Sequence, residues 1–350
     1  MRRKKTFQQG LIPEYSCFFL RKQFRHIHHW FIYIYPMKLF LITLFLFITL
    51  TAYAQQIQKF YDWQWKECEP GMARFFSIGT QTDSGWKRTD YFLETKKPQM
   101  TGLYTDSSCS IKTGWFHYYY VNGNLSRCGR YEYNELEGIW LHFHHNSMMS
   151  DSTEFHAGHL VGTSVGWFSN GFMSDSVIYN MNGPGEHYYW FSNGNPACGG
   201  ATIRNKKQGK WIYYHKNGKQ ASLEQYDKGI LLSKTYYDES GIQLPDTSST
   251  DRDVAFKGGI EKWKKYLENN LSWPVKVKLV NTDIITVVIS AIIDEEGKVT
   301  DAWVDVPFDP LFDDEALRVI KRSPKWIPAI SHNRRVQSFI KQPVSFSQAD

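Results

Sequence analysis

Aromatic and polar residues alternate in a repeating pattern through the middle of the chain. Each full repeat has a glycine followed eight residues later by an asparagine. The five full copies read GWFHYYYVNG from Gly114, GIWLHFHHNS from Gly138, GTSVGWFSNG from Gly162, GEHYYWFSNG from Gly185 and GKWIYYHKNG from Gly209. A sixth, degenerate copy, LSKTYYDESG, starts at Leu232. The chain therefore contains a tandem array with a period near 24 residues.

The repeat pattern predicts one β-hairpin per copy. An aromatic residue lies five positions after each start: Tyr119, Phe143, Trp167, Trp190, Tyr214 and Tyr237. Asn-Gly or Asn-Ser between aromatic-rich stretches favours a two-residue type I′ turn, which needs positive φ at both central positions. A single hairpin cannot bury an aromatic face by itself, so neighbouring hairpins should stack into an extended sheet with an aromatic ladder.

The pattern changes after Gly241. A polar linker at 244–253 precedes Ile260, Trp263, Leu267 and Leu271, whose spacing of three and four residues predicts an amphipathic helix. We then expect strands at 282–293 and 298–306, a helix opened by Asp313-Asp314-Glu315, and a last strand at 336–346. The order predicts two helices on a three-stranded antiparallel sheet. The fold class is thus α+β overall, with an all-β repeat sheet followed by a small α+β domain.

The N-terminal region carries the whole positive balance of the chain. The formal net charge is +6, but residues 1–38 contain eight Lys or Arg against Glu14, and the chain after Ala54 sums to −1. Met37-Lys38, twelve apolar or Thr residues and Thr51-Ala-Tyr-Ala54 have the layout of a secretory signal peptide cleaved after Ala54. Residues 1–36 then form an upstream extension, with Met37 as the initiator. The alternative is that 30–54 is retained as a membrane anchor. In both cases the rest is exported, and a nucleic-acid partner loses its support.

Candidate chemistry in the exported part is sparse. Cys68, Cys109, Cys128 and Cys198 allow three disulfide pairings in an oxidising compartment, or they stay free thiols. The histidines around the second repeat could suit a metal, but His144 occupies the same slot as Tyr120 and His215, so we expect no metal and no cofactor. Asp301, Asp305, Asp309, Asp313 and Asp314 fit turn and cap positions. No catalytic motif is present, and we expect no enzyme.

The repeats at 113–243 resemble the bacterial form of MORN-type repeats, with the G-x-W-x-x-Y-x-x-N-G pattern also found in YwqK-like antitoxins. The resemblance implies a scaffold or interaction surface. Residues 55–112 contain a degenerate copy, in which Gly85-Trp86 echoes Gly114-Trp115, and we expect this segment to cap the sheet.

The segment 254–350 carries a series of short motifs: Phe256-x-Gly-Gly259, Trp273-Pro274, Gly297-Lys-Val299, Asp314-Glu-Ala-Leu317, Pro324-x-Trp-x-Pro-Ala329 and Pro343-Val-x-Phe346. In order and spacing this series resembles the C-terminal domain of TonB-type energy transducers. The resemblance implies a periplasmic domain that accepts an extended peptide of an outer-membrane transporter as an added strand. Carried over, the accepting edge comprises Arg335, Val336, Gln337, Ser338, Phe339 and Ile340.

Three functions follow as hypotheses. The first is a non-enzymatic cell-envelope protein, periplasmic after export, that takes part in outer-membrane transport through strand addition to a transporter or another envelope protein. The second is a membrane-anchored energy transducer that keeps 30–54. The third is a repeat scaffold that binds a peptide, a glycan or a lipid.

Overall fold

The computed structural model describes residues 56–274, 279 and 284–348, which lie in one compact unit. Both forms of the N-terminal prediction, signal peptide and anchor, lie outside these residues. Within the described ranges the chain forms twenty strands and two α-helices. The first fifteen strands make one antiparallel sheet in which each strand pairs with its neighbours in sequence. The long stacked-hairpin sheet is thus confirmed.

The strands of this repeat sheet are short and evenly spaced. Four of them precede the first full repeat: β1 Gln56–Tyr61, β2 Phe75–Thr82, β3 Gly85–Phe92 and β4 Pro98–Tyr104. The five full repeats supply β5 Lys112–Tyr119, β6 Leu125–Glu132, β7 Glu135–Phe143, β8 Met149–His156, β9 His159–Trp167, β10 Met173–Tyr179, β11 Pro184–Trp190, β12 Pro196–Ile203, β13 Lys206–Tyr214 and β14 Gln220–Asp227. The degenerate copy supplies β15 Ile230–Tyr236.

The turns at the repeat asparagines have a different type from the predicted one. In the first copy the Gly123 N–H donates to the Tyr120 carbonyl and the Tyr120 N–H to the Asn124 carbonyl, and of the central residues only Gly123 has positive φ. This is the three-residue hairpin with a left-handed glycine, so the type I′ prediction is wrong here. The Asn122 Oδ1 accepts the Asn124 N–H at 2.9 Å, which favours this conformation.

Type I′ turns lie at the other edge of the sheet, between the repeats. Both central residues have positive φ in Tyr133-Asn134, Ala157-Gly158, Arg204-Asn205 and Lys228-Gly229. Each of these pairs joins two strands whose flanking residues face each other directly. The repeat unit is therefore bounded by two kinds of turn. The type I′ turns that the Asn-Gly and Asn-Ser pairs predicted lie at the edge opposite those pairs.

The asparagines also connect successive repeats along their edge. Each Asn side-chain amide donates to a carbonyl in the turn of the next copy: Asn122 to His145, Asn146 to Ser169, Asn170 to Ser192, Asn193 to Lys216 and Asn217 to Glu239. In the degenerate copy the same slot holds Ser240, which has no amide to donate. The ladder of amides thus ends where the array ends.

Glycines on neighbouring strands make room for the largest aromatic rings of one sheet face. A Cβ at Gly129 would lie 2.1 Å from the Trp140 ring, and one at Gly200 would lie 2.5 Å from the Trp211 ring. Both indoles also donate to a backbone carbonyl, at 3.1 and 2.9 Å. This ring-on-glycine packing builds the aromatic ladder, and the ladder residues are among the least exposed in the protein.

The C-terminal region is a small domain with two helices and a three-stranded sheet. Its elements are α1 Gly259–Asn270, β16 Ile284–Ile293, β17 Val299–Val306, α2 Pro310–Lys321, β18 Ala329–Ser331, β19 Arg334–Val336 and β20 Ser338–Ser347. The sheet order is β17-β16-β20, and one face carries an aliphatic core under the helices. Asp309 is the N-cap of α2, and Asp313 accepts the Phe308 N–H, which confirms the cap roles of these two aspartates.

Several boundaries differ from the predicted ones. Helix α2 begins at Pro310 rather than at Asp313, because the chain is already helical after its N-cap. The short hairpin of β18 and β19 was missed, since each strand has only three residues and no clear period. With two helices among twenty strands, the described residues are mostly β.

The other face of the three-stranded sheet lies against the repeat sheet. Val288 and Val306 pack with Phe75 and Phe92, and Trp303 stacks on His145 with ring centroids 5.3 Å apart. The end of the predicted linker also takes part, since Arg252 exchanges backbone hydrogen bonds with Ile330. The C-terminal domain is therefore packed on the array.

Candidate functional site

Strand β20 is an edge of the C-terminal sheet. It pairs antiparallel with β16 over ten residues without a register shift. Ile340, Val344 and Phe346 point into the core under the helices, whereas Phe339 is 59% exposed. Among the described residues no strand pairs with the other side of β20. Its outward main-chain groups are therefore available for an added strand.

Pro343 in the middle of β20 fixes which residues present those groups. Proline has no N–H, so within a sheet its nitrogen must face the unpaired side. Main-chain groups of alternate residues point to the same side of a strand. Phe339, Lys341 and Ser345 therefore direct their N–H groups outward, together with the Pro343 carbonyl. The open edge has a donor gap at its centre and donors on both sides of it.

A groove runs beside the C-terminal half of this edge. It has a volume of about 640 Å³ and lies between β20 and α1. Leu267 and Leu271 of the α1 side and Pro343, Ser345 and Phe346 of β20 line it. Its lining is mostly apolar, and Lys264, Glu268 and the serines at 272, 345 and 347 form the polar part. An extended peptide on the β20 edge would thus find an apolar wall for every second side chain.

The six residues predicted as the accepting edge are split between two elements. Arg335 and Val336 lie in β19 and pair with Ile330 and Ala329, so they do not belong to the β20 edge. Gln337 connects the two strands. Ser338, Phe339 and Ile340 begin β20, and of these Phe339 has outward main-chain groups while Ile340 is buried. The His332-Asn333 turn joins β18 to β19, so Arg335 and Val336 belong to this hairpin, and the partner-binding role of the six residues stays a prediction.

The hairpin of β18 and β19 anchors the domain to the last repeats. The His332 ring stacks on Tyr213 at a centroid distance of 3.9 Å, and its Nδ1 lies 2.8 Å from Glu224 Oε1. The Asn333 amide donates to the Ala221 and Tyr237 carbonyls. Although burial alone would raise it, hydrogen bonds from His332 and Tyr226 hold the pKa of Glu224 below its usual value. His332 and Asn333 both have positive φ and form a type I′ turn, and this pair is the local sequence signal that could have predicted the hairpin.

Ion pairs extend this contact along the turn edge of the array. Lys216 Nζ lies 2.9 Å from Glu295 and 3.0 Å from Glu296, in the turn between β16 and β17. Arg335 lies 3.4 Å from Glu239 of the last turn. One of the six predicted partner residues thus contacts the repeats of its own chain.

The repeat histidines have structural partners. His144 Nε2 bonds to the Trp167 carbonyl at 2.8 Å and His215 Nε2 to the Tyr237 carbonyl at 2.9 Å, in the slot where Tyr120 donates to Phe143. In the described part of the chain no three metal-binding side chains cluster, and the four cysteines from Cys68 to Cys198 are free thiols. No helix in the described ranges is long and apolar enough to cross a membrane.

Comparison with known proteins bears on the C-terminal domain. No curated protein matches the chain. The MORN-type resemblance of the repeats stays a prediction. Residues 286–347, which contain most of β16, α2 and the β20 edge, match the family model of the Gram-negative bacterial TonB protein C-terminal domain, and this match supports a TonB-like protein of the Gram-negative cell envelope.

Proposed function

We propose that the protein is a non-enzymatic envelope protein whose C-terminal domain binds an outer-membrane transporter by strand addition. The observation that carries this proposal is the unpaired β20 edge with an apolar groove beside it. The transporter supplies an extended peptide that pairs with Phe339, Lys341 and Ser345 and places alternate side chains against α1. The chain acts after export and cleavage behind Ala54, in the periplasm.

The packing of the domain on the repeats supports a particular role for the array. The anchor hairpin and the Lys216 ion pairs hold the domain on the turn edge of the sheet. The β20 edge is therefore presented on a broad scaffold rather than at the end of a free linker. Binding to a transporter would bring the whole repeat sheet to the outer membrane.

The test replaces one outward donor on the edge. Ser345→Pro removes an N–H that we place on the unpaired side, whereas Ser345→Ala keeps that N–H and removes the same hydroxyl contact to Thr286. Binding of the full protein to purified outer-membrane transporters is measured, with an authentic transducer domain as positive control. We expect Ser345→Pro to lose binding by about tenfold, near 1.4 kcal/mol, and Ser345→Ala to bind like the unchanged protein.

A second variant adds a donor. Pro343→Ala fills the central gap, so binding should tighten by a few fold, since a net hydrogen bond contributes about 1 kcal/mol. Failure of the full protein to bind any transporter that the control binds would contradict the proposal. Equal loss with Ser345→Pro and Ser345→Ala would place the contact on the side chain instead of the strand edge. The mature N-terminus, read by mass spectrometry, tests cleavage behind Ala54.

A further inference from the structure

A separate cavity lies between the two sheets, away from the β20 groove. It has a volume of about 470 Å³. One wall is the repeat sheet. The other wall is formed by Val304, Asp305 and Val306 of β17 and Lys341 of β20, on the side of the C-terminal sheet that lies against the array. Sites for small ligands usually occupy about 300–1,000 Å³. The cavity therefore has the size of a ligand site, and strand addition does not use it.

Aromatic rings form much of the repeat-side wall. Trp63, Phe75, Phe92, Tyr118 and Phe143 all line the cavity. Rings of this kind offer flat, weakly polar faces that pack against C–H groups. Trp63 and Phe143 are half-buried and offer such surfaces to a ligand, whereas Phe75 and Phe92 are each 2% exposed.

Polar side chains form a row across the same wall. In the register of the sheet Tyr118 faces Arg127, Arg127 faces His142, and His142 faces Asp151. The row thus crosses four neighbouring strands at one height. His142 Nδ1 lies 2.7 Å from Asp151 Oδ1, which leaves the ring's Nε2 for a ligand. The Arg127 guanidinium lies 4.2 Å over the Tyr118 ring, and no carboxylate of the described residues pairs with it.

The charges that line the cavity balance. Arg127 and Lys341 face Asp151 and Asp305, and Lys341 is itself paired with Asp305 at 2.5 Å. An anionic ligand such as a phosphate would need an excess of cations, and a lipid chain would need a lining without charged groups. The cavity instead combines aromatic faces with both donors and acceptors. This combination suits a neutral ring compound that carries many hydroxyl groups.

We propose that the cavity between the two sheets binds a neutral oligosaccharide. The pyranose C–H faces pack on the rings of Trp63 and Phe143. The hydroxyl groups bond to Arg127 and to the His142–Asp151 pair. Both sheets contribute to the cavity, so the ligand also bridges the array and the C-terminal domain.

The probes are maltotriose and the disaccharide of N-acetylglucosamine, with glucose 1-phosphate as the anionic comparison. Binding to the full protein is followed by tryptophan fluorescence, since Trp63 and Trp65 line the cavity, and by calorimetry. Arg127→Gln and Asp151→Asn should each weaken saccharide binding by at least about tenfold. Trp115→Ala is the matched control, because Trp115 is 59% exposed and lies on the opposite face of β5 from Phe116 and Tyr118.

Saturable binding of one neutral saccharide that both cavity variants weaken and Trp115→Ala leaves intact would support the proposal. Absence of saturable binding by both neutral probes would overturn it, as would preference for glucose 1-phosphate. Equal weakening by Trp115→Ala would also overturn it, because the exposed face would then hold the sugar. Circular dichroism of each variant excludes unfolding as the cause, and both cavity changes are conservative, one at the exposed Arg127 and one at the half-buried Asp151.

Discussion

The repeat sheet and the C-terminal domain reach stability by different routes. In the repeat sheet the buried groups are single aromatic rings that pack over glycines of the neighbouring strand, such as Trp140 on Gly129 and Trp211 on Gly200. In the C-terminal domain they are aliphatic residues of one long strand, β16, which pack under two helices. The array makes its contacts between neighbours in sequence, whereas the domain joins segments as distant as β16 and β20.

This difference determines how many strands should lose stability when one residue is mutated. An array in which each hairpin contacts mainly the next one behaves as a sum of local terms. A small domain with one core unfolds as a unit. The anchor hairpin, which stacks His332 on Tyr213, couples the two regions at one end. Mutations in the domain should therefore act globally on it, and mutations in the array should act on neighbouring strands.

The largest effect is expected from Ile289→Ala in the middle of β16. Ile289 is fully buried in the core under the helices, so its truncation should cost about 2–5 kcal/mol and unfold the domain at lower denaturant. Ile260→Ala is the control, since Ile260 on α1 is 64% exposed. Hydrogen exchange of the full protein should show loss of protection through all three strands β16, β17 and β20. Loss confined to β16 alone would contradict a single cooperative core.

The folding stability of the C-terminal domain should also depend on pH. Burial raises the pKa of Asp313 to about 7, and Glu94 and Asp309 add to the shift while the Phe308 N–H opposes it. Between about pH 4 and pH 7 the unfolded carboxyl is ionised and the folded one is not, so stability falls as pH rises across this window. Below about pH 4 both states are protonated and no loss occurs.

Asp313→Asn should remove this loss and keep an acceptor for Phe308. The variant should gain up to about 4 kcal/mol over the unchanged protein at pH 7, from about three pKa units at about 1.4 kcal/mol each, and little at pH 4. Urea unfolding across that pH range measures the difference. Asp314→Asn at the neighbouring exposed position is the control. A difference that stays constant with pH would show that the buried carboxyl is already ionised in the folded state.

In the array, Gly129→Ala should destabilise by about 1–3 kcal/mol, because its Cβ would overlap the Trp140 ring. Gly71→Ala is the matched control, since nothing lies within 4 Å of a Cβ there. Hydrogen exchange should show the loss in β5 to β8, with β16 unchanged. Equal loss of protection in β16 would break the contrast, because the array and the domain would then unfold together.

The sequence predicted the elements better than their contacts. The glycine and asparagine spacing predicted the hairpins, since both residues serve local backbone geometry. The turn type was predicted wrongly, because Asn122 bonds to its own turn and to His145 of the next one, a contact that one hairpin does not reveal. The pattern of apolar runs and turns predicted the C-terminal sheet, whereas the accepting edge came only from the family resemblance and stays a prediction. Two pairs hold the C-terminal domain on the repeat sheet, His332 with Glu224 and Lys216 with Glu295. They join residues 108 and 79 positions apart, so no local sequence pattern could have predicted them.

The smallest expected effect distinguishes the two roles of the repeat asparagine, whose side-chain oxygen accepts a hydrogen bond within its own turn and whose amide donates one to the next turn. Asn170→Asp keeps the oxygen that accepts the Phe172 N–H but loses the amide that donates to the Ser192 carbonyl at 2.8 Å. We expect a loss of about 0.5–1.5 kcal/mol, with faster exchange in the turn that follows β11. Ser240→Asn introduces an asparagine in the same slot of the last copy, where the array has no further turn to bond. It should be nearly neutral by the same measurement. If both changes cost the same, the asparagine acts only within its own turn, and the link between successive repeats rests on the ring-on-glycine contacts alone.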